Sequence, residues 1–477
     1  MADDNPAKGL YDKTVQMVHS VQEHISNITG TSTALSKQVI LQKLLENGTL
    51  QMEHIRNALQ IGIGYYLNRN LQQIPYTTQH LNDSTEDVER LNFPASGGGE
   101  KNTPSHQLPD FDCEAYALNT FFCLMNVYGI DPRILRNSVV NSGELKELAN
   151  PASSGSLLYL SADKEFVVKT IRDYDTKFIQ EKFLSTFMDY VRKCPKTLIT
   201  KLFGLYGYIP SIPKEKLGFS METFTLHFAI FSNFIPSKFE IHEKYDLKGS
   251  SFGRDANAIE KRKDTPTFKD NDFRDLHPNG IKLSPSIYKN LTDILTHDIK
   301  FLESLNIMDY SLVLAIHNKD NPIKPKRIGI LESLLESARD TFMVGQSETT
   351  DKKDDDKEKN DKSKQERSSD TMGMRYQTIN TYDTLKFDGI PAVNEAGERL
   401  LLFIGILDIL QTFDICKTMQ RQYETAENSS AIDDRSIVEA DFYANRFKDF
   451  IFNDVFKSTT DETGTHSVSL SAVKSHN

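Results

Sequence analysis

The segment Leu400 to Leu410 sets the strictest condition on how this chain can fold. It reads Leu-Leu-Leu-Phe-Ile-Gly-Ile-Leu-Asp-Ile-Leu, nine of eleven residues apolar, with Asp408 almost at its end. An apolar run of this length predicts a core strand. An ionised carboxylate at its exit is desolvated unless a cation meets it, at a cost of several kcal/mol, so a metal ion or a lysine is expected beside it. A strand that delivers one acid in this way is how magnesium is brought to nucleotide phosphates in several phosphotransfer folds. The same pattern also suits a core strand with a capping aspartate, and the rest of the chain has to decide between the two.

At 477 residues the chain exceeds the size at which one core stops growing, so a two-lobed body with appendages is expected. The net charge of −11 argues against nucleic acid as a partner and gives no global attraction to an anionic membrane. The cysteines (Cys113, Cys123, Cys194, Cys416) form no Cys-x-x-Cys pair, which suits a reducing cytosol and excludes a sequence-visible zinc finger. No apolar run approaches a membrane span, and Met-Ala-Asp-Asp-Asn lacks the pattern of a signal peptide. These features predict a soluble, cytoplasmic protein.

Residues 1–50 carry apolar positions at helical spacing and predict a helical extension packed on the body or on a second copy. Gln60 to Tyr66 alternates like a strand with close-packed glycines, and Tyr116 to Tyr128 predicts a helix ending at Gly129. The small-residue loop Asn150 to Ser156 precedes a predicted hairpin, Leu157 to Leu160 and Phe166 to Lys169. Such a loop can offer backbone N–H groups to phosphates, with Lys169 presented at a fixed distance. Leu202 to Tyr208 and Phe224 to Ile235 read as strands, the second running into a hinge-like turn at Asn233, Phe234 and Ile235. Glu243 to Ser250 reads in isolation as a surface strand end. Leu283 to Leu305 predicts a helix leading to Met308-Asp309-Tyr310-Ser311-Leu312, a second acid at the mouth of an apolar strand. Asp309, Asp408 and Lys169 together form a phosphotransfer constellation, one acid serving an attacking hydroxyl and the other holding magnesium. Between the acids, Asp351 to Arg367 holds seven acidic and seven basic residues with no apolar ones, which predicts disorder across the insert 347–370. Phe442 to Phe456 predicts an aromatic-rich helix, and residues 457–477 a disordered tail.

Taken together, these segments resemble the phosphatidylinositol phosphate kinases, most closely the type I group that phosphorylates phosphatidylinositol 4-phosphate at the 5-hydroxyl. The resemblance runs from about Gln60 to Phe456. It rests on Ile61-Gly62-Ile63-Gly64-Tyr65, Thr103-Pro104 with Pro109-Asp110-Phe111, Ser154-Gly155-Ser156 with Val168-Lys169-Thr170, and Asp246-Leu247-Lys248-Gly249-Ser250. Further on it rests on Met308 to Leu312, Ile404 to Gln411, and Phe442-Tyr443-Ala444 with Arg446-Phe447. It implies an α+β, two-lobed kinase-like fold with an antiparallel N-lobe sheet. The lobes would be 51–236 and 237–456, with an activation segment at 409–440. It also implies ATP and Mg2+ as cofactors, Lys169 on the ATP phosphates with Ser154, Gly155 and Ser156, Asp408 on magnesium, and Asp309 on the inositol hydroxyl. Asn233 to Ile235 would be the adenine hinge, with Asp246 and Lys248 supporting the phosphate site. A phosphoinositide in a membrane would be the substrate, with peripheral association at the cytosolic face, the plasma membrane foremost, and a homodimer through N-terminal segments.

The departures concern the small-residue loop, the helix after Lys169 and the activation segment. Ala152 stands where the family usually has Gly. Lys177 occupies the place of the expected helical glutamate, which leaves Lys169 without an assigned partner among Asp173, Asp175 and Glu181. The activation segment reads Cys416-Lys417-Thr418-Met419-Gln420, keeping one lysine of a pair and placing Gln420 where the type I group has Glu. Ile415, Met419 and Tyr423 can form an apolar helical face for a bilayer. However, Thr412 to Ala440 has six acids against three bases. Each basic residue near an anionic surface adds about 1 kcal/mol, so this loop favours membrane less than a dibasic one. Lys261, Arg262 and Lys263, with Lys324, Lys326 and Arg327, could compensate or be ordinary solvated surface. Two other functions stay open on the sequence: a weakly active scaffold that binds phosphoinositides, and a kinase of the same fold acting on another phosphoinositide or a soluble inositol phosphate.

Overall fold

The computed structural model describes residues 31–72, 85, 87–98, 101–149, 156–213, 223–236, 238–321, 389–413 and 438–459. The first sheet is built from β1 (Val88–Phe93), β2 (Phe111–Tyr116), β3 (Lys146–Ala149), β4 (Leu158–Leu160), β5 (Phe166–Ile171), β6 (Leu202–Pro210) and β7 (Leu226–Ser232). Its order is β1-β2-β6-β7-β5-β4-β3 and every pairing is antiparallel, as the family resemblance implies. Helices α1 (Thr31–Glu46), α2 (Met52–Leu71), α3 (Leu118–Val127), α4 (Pro132–Arg136), α5 (Asp173–Phe178) and α6 (Leu184–Lys193) accompany it.

Helix α2 corrects the strand expected over Gln60 to Tyr66. Across its whole length the buried positions Ile55, Leu59, Ile63, Tyr66 and Leu67 recur every three or four residues, the helical period. The alternation of glycines imitates a strand only within a window of seven residues. Gly62 is small for a packing reason, since a Cβ there would stand 2.5 Å from the Cys113 sulfur. The predicted helix before Gly129 is found as α3, and Gly129 ends it at φ +68°.

The second sheet contains β8 (Glu243–Leu247), β9 (Thr267–Phe268), β10 (Ile281–Leu283), β11 (Ser311–Asn318), β12 (Ile390–Val393), β13 (Arg399–Leu407) and β14 (Phe456–Ser458). Their order is β14-β10-β12-β13-β11-β8-β9, with parallel pairs at β10–β14 and β8–β9. Helices α7 (Asp270–Leu276), α8 (Pro285–Ser304) and α9 (Ala440–Phe450) complete this half. The fold is therefore α+β with two sheets. β13 lies in the middle of the second sheet, buried from Leu400 to Ile406. Each such aliphatic or aromatic side chain contributes about 1.5–3 kcal/mol by leaving water.

Three further expectations change. Glu243 to Leu247 is an interior strand with Tyr245 and Leu247 fully buried, because its neighbours β9 and β11 arrive from distant parts of the chain. Phe224 to Ile235 is strand only from Leu226 to Ser232. Lys457 and Ser458 belong to β14 rather than to a tail, held by parallel pairing with β10. Residues 1–30, the insert 347–370, most of the activation segment including Lys417 and Gln420, and residues 460–477 lie outside the described residues.

Candidate active site

The two sheets meet where the chain enters β6. Thr200 N–H donates to the Ile406 carbonyl at 3.0 Å, and Ile406 N–H donates to the Leu198 carbonyl at 2.8 Å. Leu198 is fixed in turn by Asp298 of α8. This fully buried carboxylate accepts from Leu198 N–H (2.8 Å), the Thr197 hydroxyl (2.5 Å) and the Tyr190 hydroxyl (2.6 Å). The junction brings the exit of β13 against β5, and a cleft of about 700 Å³ opens between the sheets. Val167, Phe231, Phe234 and Leu407 line it with apolar surface, while Lys169, Asp309 and Asp408 line it with charge.

Asp309 and Asp408 come together through register. β11 and β13 run antiparallel with Ser311 opposite Leu407, so the residues just before β11 and just after β13 share one end of the sheet. Met308 N–H donates to the Gln411 carbonyl at 2.9 Å and Phe413 N–H to the Asn306 carbonyl at 2.9 Å, which laces the two loops together. Six described non-glycine residues have positive φ, and Asn306 (+57°), Asp309 (+61°) and Asp408 (+58°) at this junction account for half of them. Asn and Asp enter that region more easily than other residues, at a cost of about 1–2 kcal/mol each.

Each acid meets a lysine. Lys169 of β5 lies 2.9 Å from Asp408, and Lys248, just beyond β8, lies 2.7 Å from Asp309. Burial acts to raise the Asp408 pKa, but the Lys169 charge, its hydrogen bond and the more distant Lys248 outweigh it, so the carboxyl stays below its ordinary range. The structure thereby supplies the Lys169 partner that the sequence left unassigned. Asp173 is taken by Lys37 of α1 and by His227, Asp175 by Arg172, and Glu181 by Lys177. Asp408 thus meets a lysine, one of the two cations expected beside it, and its side chain remains 52% exposed because it stands past the end of β13, in the cleft mouth.

The hinge residues divide. Asn233 and Phe234 line the cleft, whereas Ile235 packs with Phe239 and Ile241 against Leu401 and Phe403. The Asn233 amide donates to the Lys164 carbonyl at 2.8 Å, tying the hinge to the β4–β5 turn. Phe234 lies over Gly405, where a Cβ would come within 2.7 Å of the ring. Ser156 lines the cleft, and Ser154 and Gly155 lie outside the described residues. Asp246 and Lys248 are not among the lining residues, and Asp246 sits 3.5 Å from Arg254 in the loop after β8. Among Lys261, Arg262 and Lys263, Lys261 pairs with Asp272 at 2.6 Å and Lys263 with Glu260, which reduces the free positive charge of that run.

Sequence reasoning missed Asp270, Arg254 and Asp298, buried polar groups whose partners lie in other elements of the chain. Asp270 stands between Lys269 and Asn271 and Arg254 between Gly253 and Asp255, so no local pattern marks them, and Asp298 beside Ile299 looks like many solvated acids. Beneath the site, Tyr443 donates to the Tyr310 carbonyl, and its ring meets that of Tyr310 at 4.8 Å. The aromatic motif of α9 thus floors the Asp309 loop.

The donor set fits magnesium arriving with a nucleotide. Asp408 and Asp309 offer hard carboxylate oxygens on one cleft wall. Among the described residues no group of three or more His, Cys, Asp or Glu could cage a metal. Magnesium is ordinarily held by one or two carboxylates with phosphate oxygens and water.

A cleft between two sheets, with a lysine from one sheet facing an acid from the other and a second lysine–acid pair beside it, is chemistry for a polyphosphate and an attacking hydroxyl. The family model described as Phosphatidylinositol-4-phosphate 5-Kinase matches residues 139–454. The chain belongs to that family. It is 32% identical to phosphatidylinositol 4-phosphate 5-kinase type-1 sktl of Drosophila melanogaster over 86% of its own length and 54% of the fly protein. It is 33% identical to the type-1 beta enzyme of Mus musculus and 32% to that of Homo sapiens, over 84% of this chain and 68% of each relative. The chain thus spans about half the length of the fly relative. Among the described residues, no helix of this family member is long and apolar enough to cross a membrane.

Proposed function

We propose that the protein transfers the γ-phosphoryl group of ATP to the 5-hydroxyl of phosphatidylinositol 4-phosphate, forming phosphatidylinositol 4,5-bisphosphate. The observation that carries this reading is the convergence of Lys169, Asp408, Asp309 and Lys248 on one end of β11 and β13, in a chain related to enzymes named for that activity.

In this reading Asn233 and Phe234 receive the adenine, and the loop of Ser154, Gly155 and Ser156 covers the phosphates. Lys169 neutralises phosphate charge. Asp408 would hold magnesium, which would draw charge from the transferring group. Asp309 orients the inositol hydroxyl and accepts its proton as the new P–O bond forms and the bond to the β-phosphate oxygen breaks. Lys248 fixes the Asp309 carboxylate in place. Little covalent help is needed, because a loose phosphoryl transition state is served by positioning and charge. Lys417 and Gln420 choose the lipid. The protein would work peripherally at the cytosolic face of a membrane, the plasma membrane foremost, and as a homodimer through its N-terminal segments.

The test presents each monophosphoinositide in liposomes and in short-chain soluble form with Mg·ATP, and resolves the product isomers. Phosphorylation of phosphatidylinositol 4-phosphate at position 5, faster in liposomes, is expected. Preference for another isomer would move specificity to the altered segment around Gln420, and preference for the soluble form would remove the membrane from the account. No phosphorylation of any would favour a phosphoinositide-binding scaffold.

A further inference from the structure

Asp270 opens α7 and is completely buried. One of its oxygens accepts the backbone N–H groups of Gly249 (2.7 Å), Lys248 (2.9 Å) and, at longer range, Ser250 (3.4 Å). The other accepts from Nε of Arg254 at 2.7 Å, and Arg254 also donates to the Asp246 carbonyl at the end of β8. A buried carboxylate is tolerated only where such partners surround it, and losing one leaves the remainder unsatisfied. The three consecutive residues Lys248, Gly249 and Ser250 are therefore gathered around a single anion. The turn within them needs Gly249, whose φ of +71° comes with a Cβ direction only 3.0 Å from the Arg446 carbonyl oxygen and the Phe447 Cα. With the backbone fixed from one side by Asp270 and from the other by α9, the Lys248 side chain starts from a set point. Its Nζ lies 2.7 Å from Asp309.

We infer that Asp270 is a positioning residue for phosphoryl transfer, acting through Lys248 on Asp309 without touching a reactant itself. Arg254 completes it by holding its second oxygen. Asp270 lies within the matched residues 139–454 but outside the motifs that carry the resemblance, and its distance in sequence from Lys248 conceals the connection.

The inference rests on the proposed function, and its test is a double-mutant cycle in the full-length chain with phosphatidylinositol 4-phosphate liposomes. Asp270→Asn keeps shape and one acceptor but removes the charge. It is expected to lower kcat about tenfold to a hundredfold while leaving KM for ATP nearly unchanged, the signature of a misplaced catalytic group. Combined with Lys248→Ala, it should lower kcat no further than Lys248→Ala alone. A brace with only a structural role would instead multiply its loss onto that of Lys248→Ala, and that result overturns the inference. If Asp270→Asn does not fold, Arg254→Lys enters the same cycle. It keeps the charge, loses the fork geometry, and carries the same expectation of no added loss. An unaltered protein that phosphorylates no lipid would overturn the proposed function and this inference with it. An active protein with multiplicative losses overturns the inference alone.

Discussion

Asp309 and Asp408 each carry a left-handed backbone beside a lysine, so two of the three strained residues of this junction are those whose carboxylates face the cleft. A replacement by a residue less tolerant of that conformation would disturb loop and charge together, which makes the asparagine variants the informative ones. Gly405 illustrates the opposite constraint. It sits inside β13 under the Phe234 ring, and any side chain there must move the ring. Gly405→Ala is therefore expected to raise KM for ATP several-fold with a loss of about 1–3 kcal/mol in stability from overpacking. Steady-state kinetics with denaturant unfolding reads both. An unchanged KM would mean that Phe234 does not wall the nucleotide.

At the scale of elements, α1 is fastened to the body by Leu41 and Leu44 in the core and by Lys37 on Asp173 of α5. Burial tends to raise the Asp173 pKa, yet hydrogen bonds from His227 and Lys37 prevail and bring it from 3.8 down to about 2. A depressed carboxyl contributes stability that is complete above its unfolded pKa and disappears as the pH falls through the folded value. Docking of α1, followed by hydrogen exchange in 31–46, should thus be flat from about pH 5 to 8 and loosen only in strong acid. Asp173→Asn should loosen it throughout that range, and a variant with unchanged protection would leave the docking to Leu41 and Leu44 alone.

The elements also show what a sequence discloses. The β4–β5 hairpin, α8 and β13 were legible because their patterns are local. Helix α2 was misread because alternating glycines imitate a strand over a short window, while its packing against Cys113 and Val140 is tertiary. β14 was missed because three residues become a strand only by pairing with β10, far earlier in the chain. In the site, Lys169, Asp309 and Asp408 were readable as charges in apolar settings. Their pairing was not, because the Lys169–Asp408 contact spans 239 residues and depends on the sheet-to-sheet junction at Ile406.

For the whole molecule, that junction is the central feature. Asp298 fixes Leu198, Leu198 and Thr200 fix Ile406, and the strand they hold ends at Asp408, opposite the lysine of the other sheet. Catalysis in this account depends on two sheets presenting unlike charges across one cleft. The most direct test is the rate of labelled phosphate transfer from Mg·ATP to phosphatidylinositol 4-phosphate liposomes by the unaltered protein and by Asp408→Asn. Circular dichroism and thermal unfolding are recorded on both proteins. The account predicts 5-phosphorylated product from the unaltered protein, and a loss of at least about a hundredfold in the variant, the scale of removing a transition-state charge stabiliser, with the fold intact. Equal rates in the two folded proteins would contradict it.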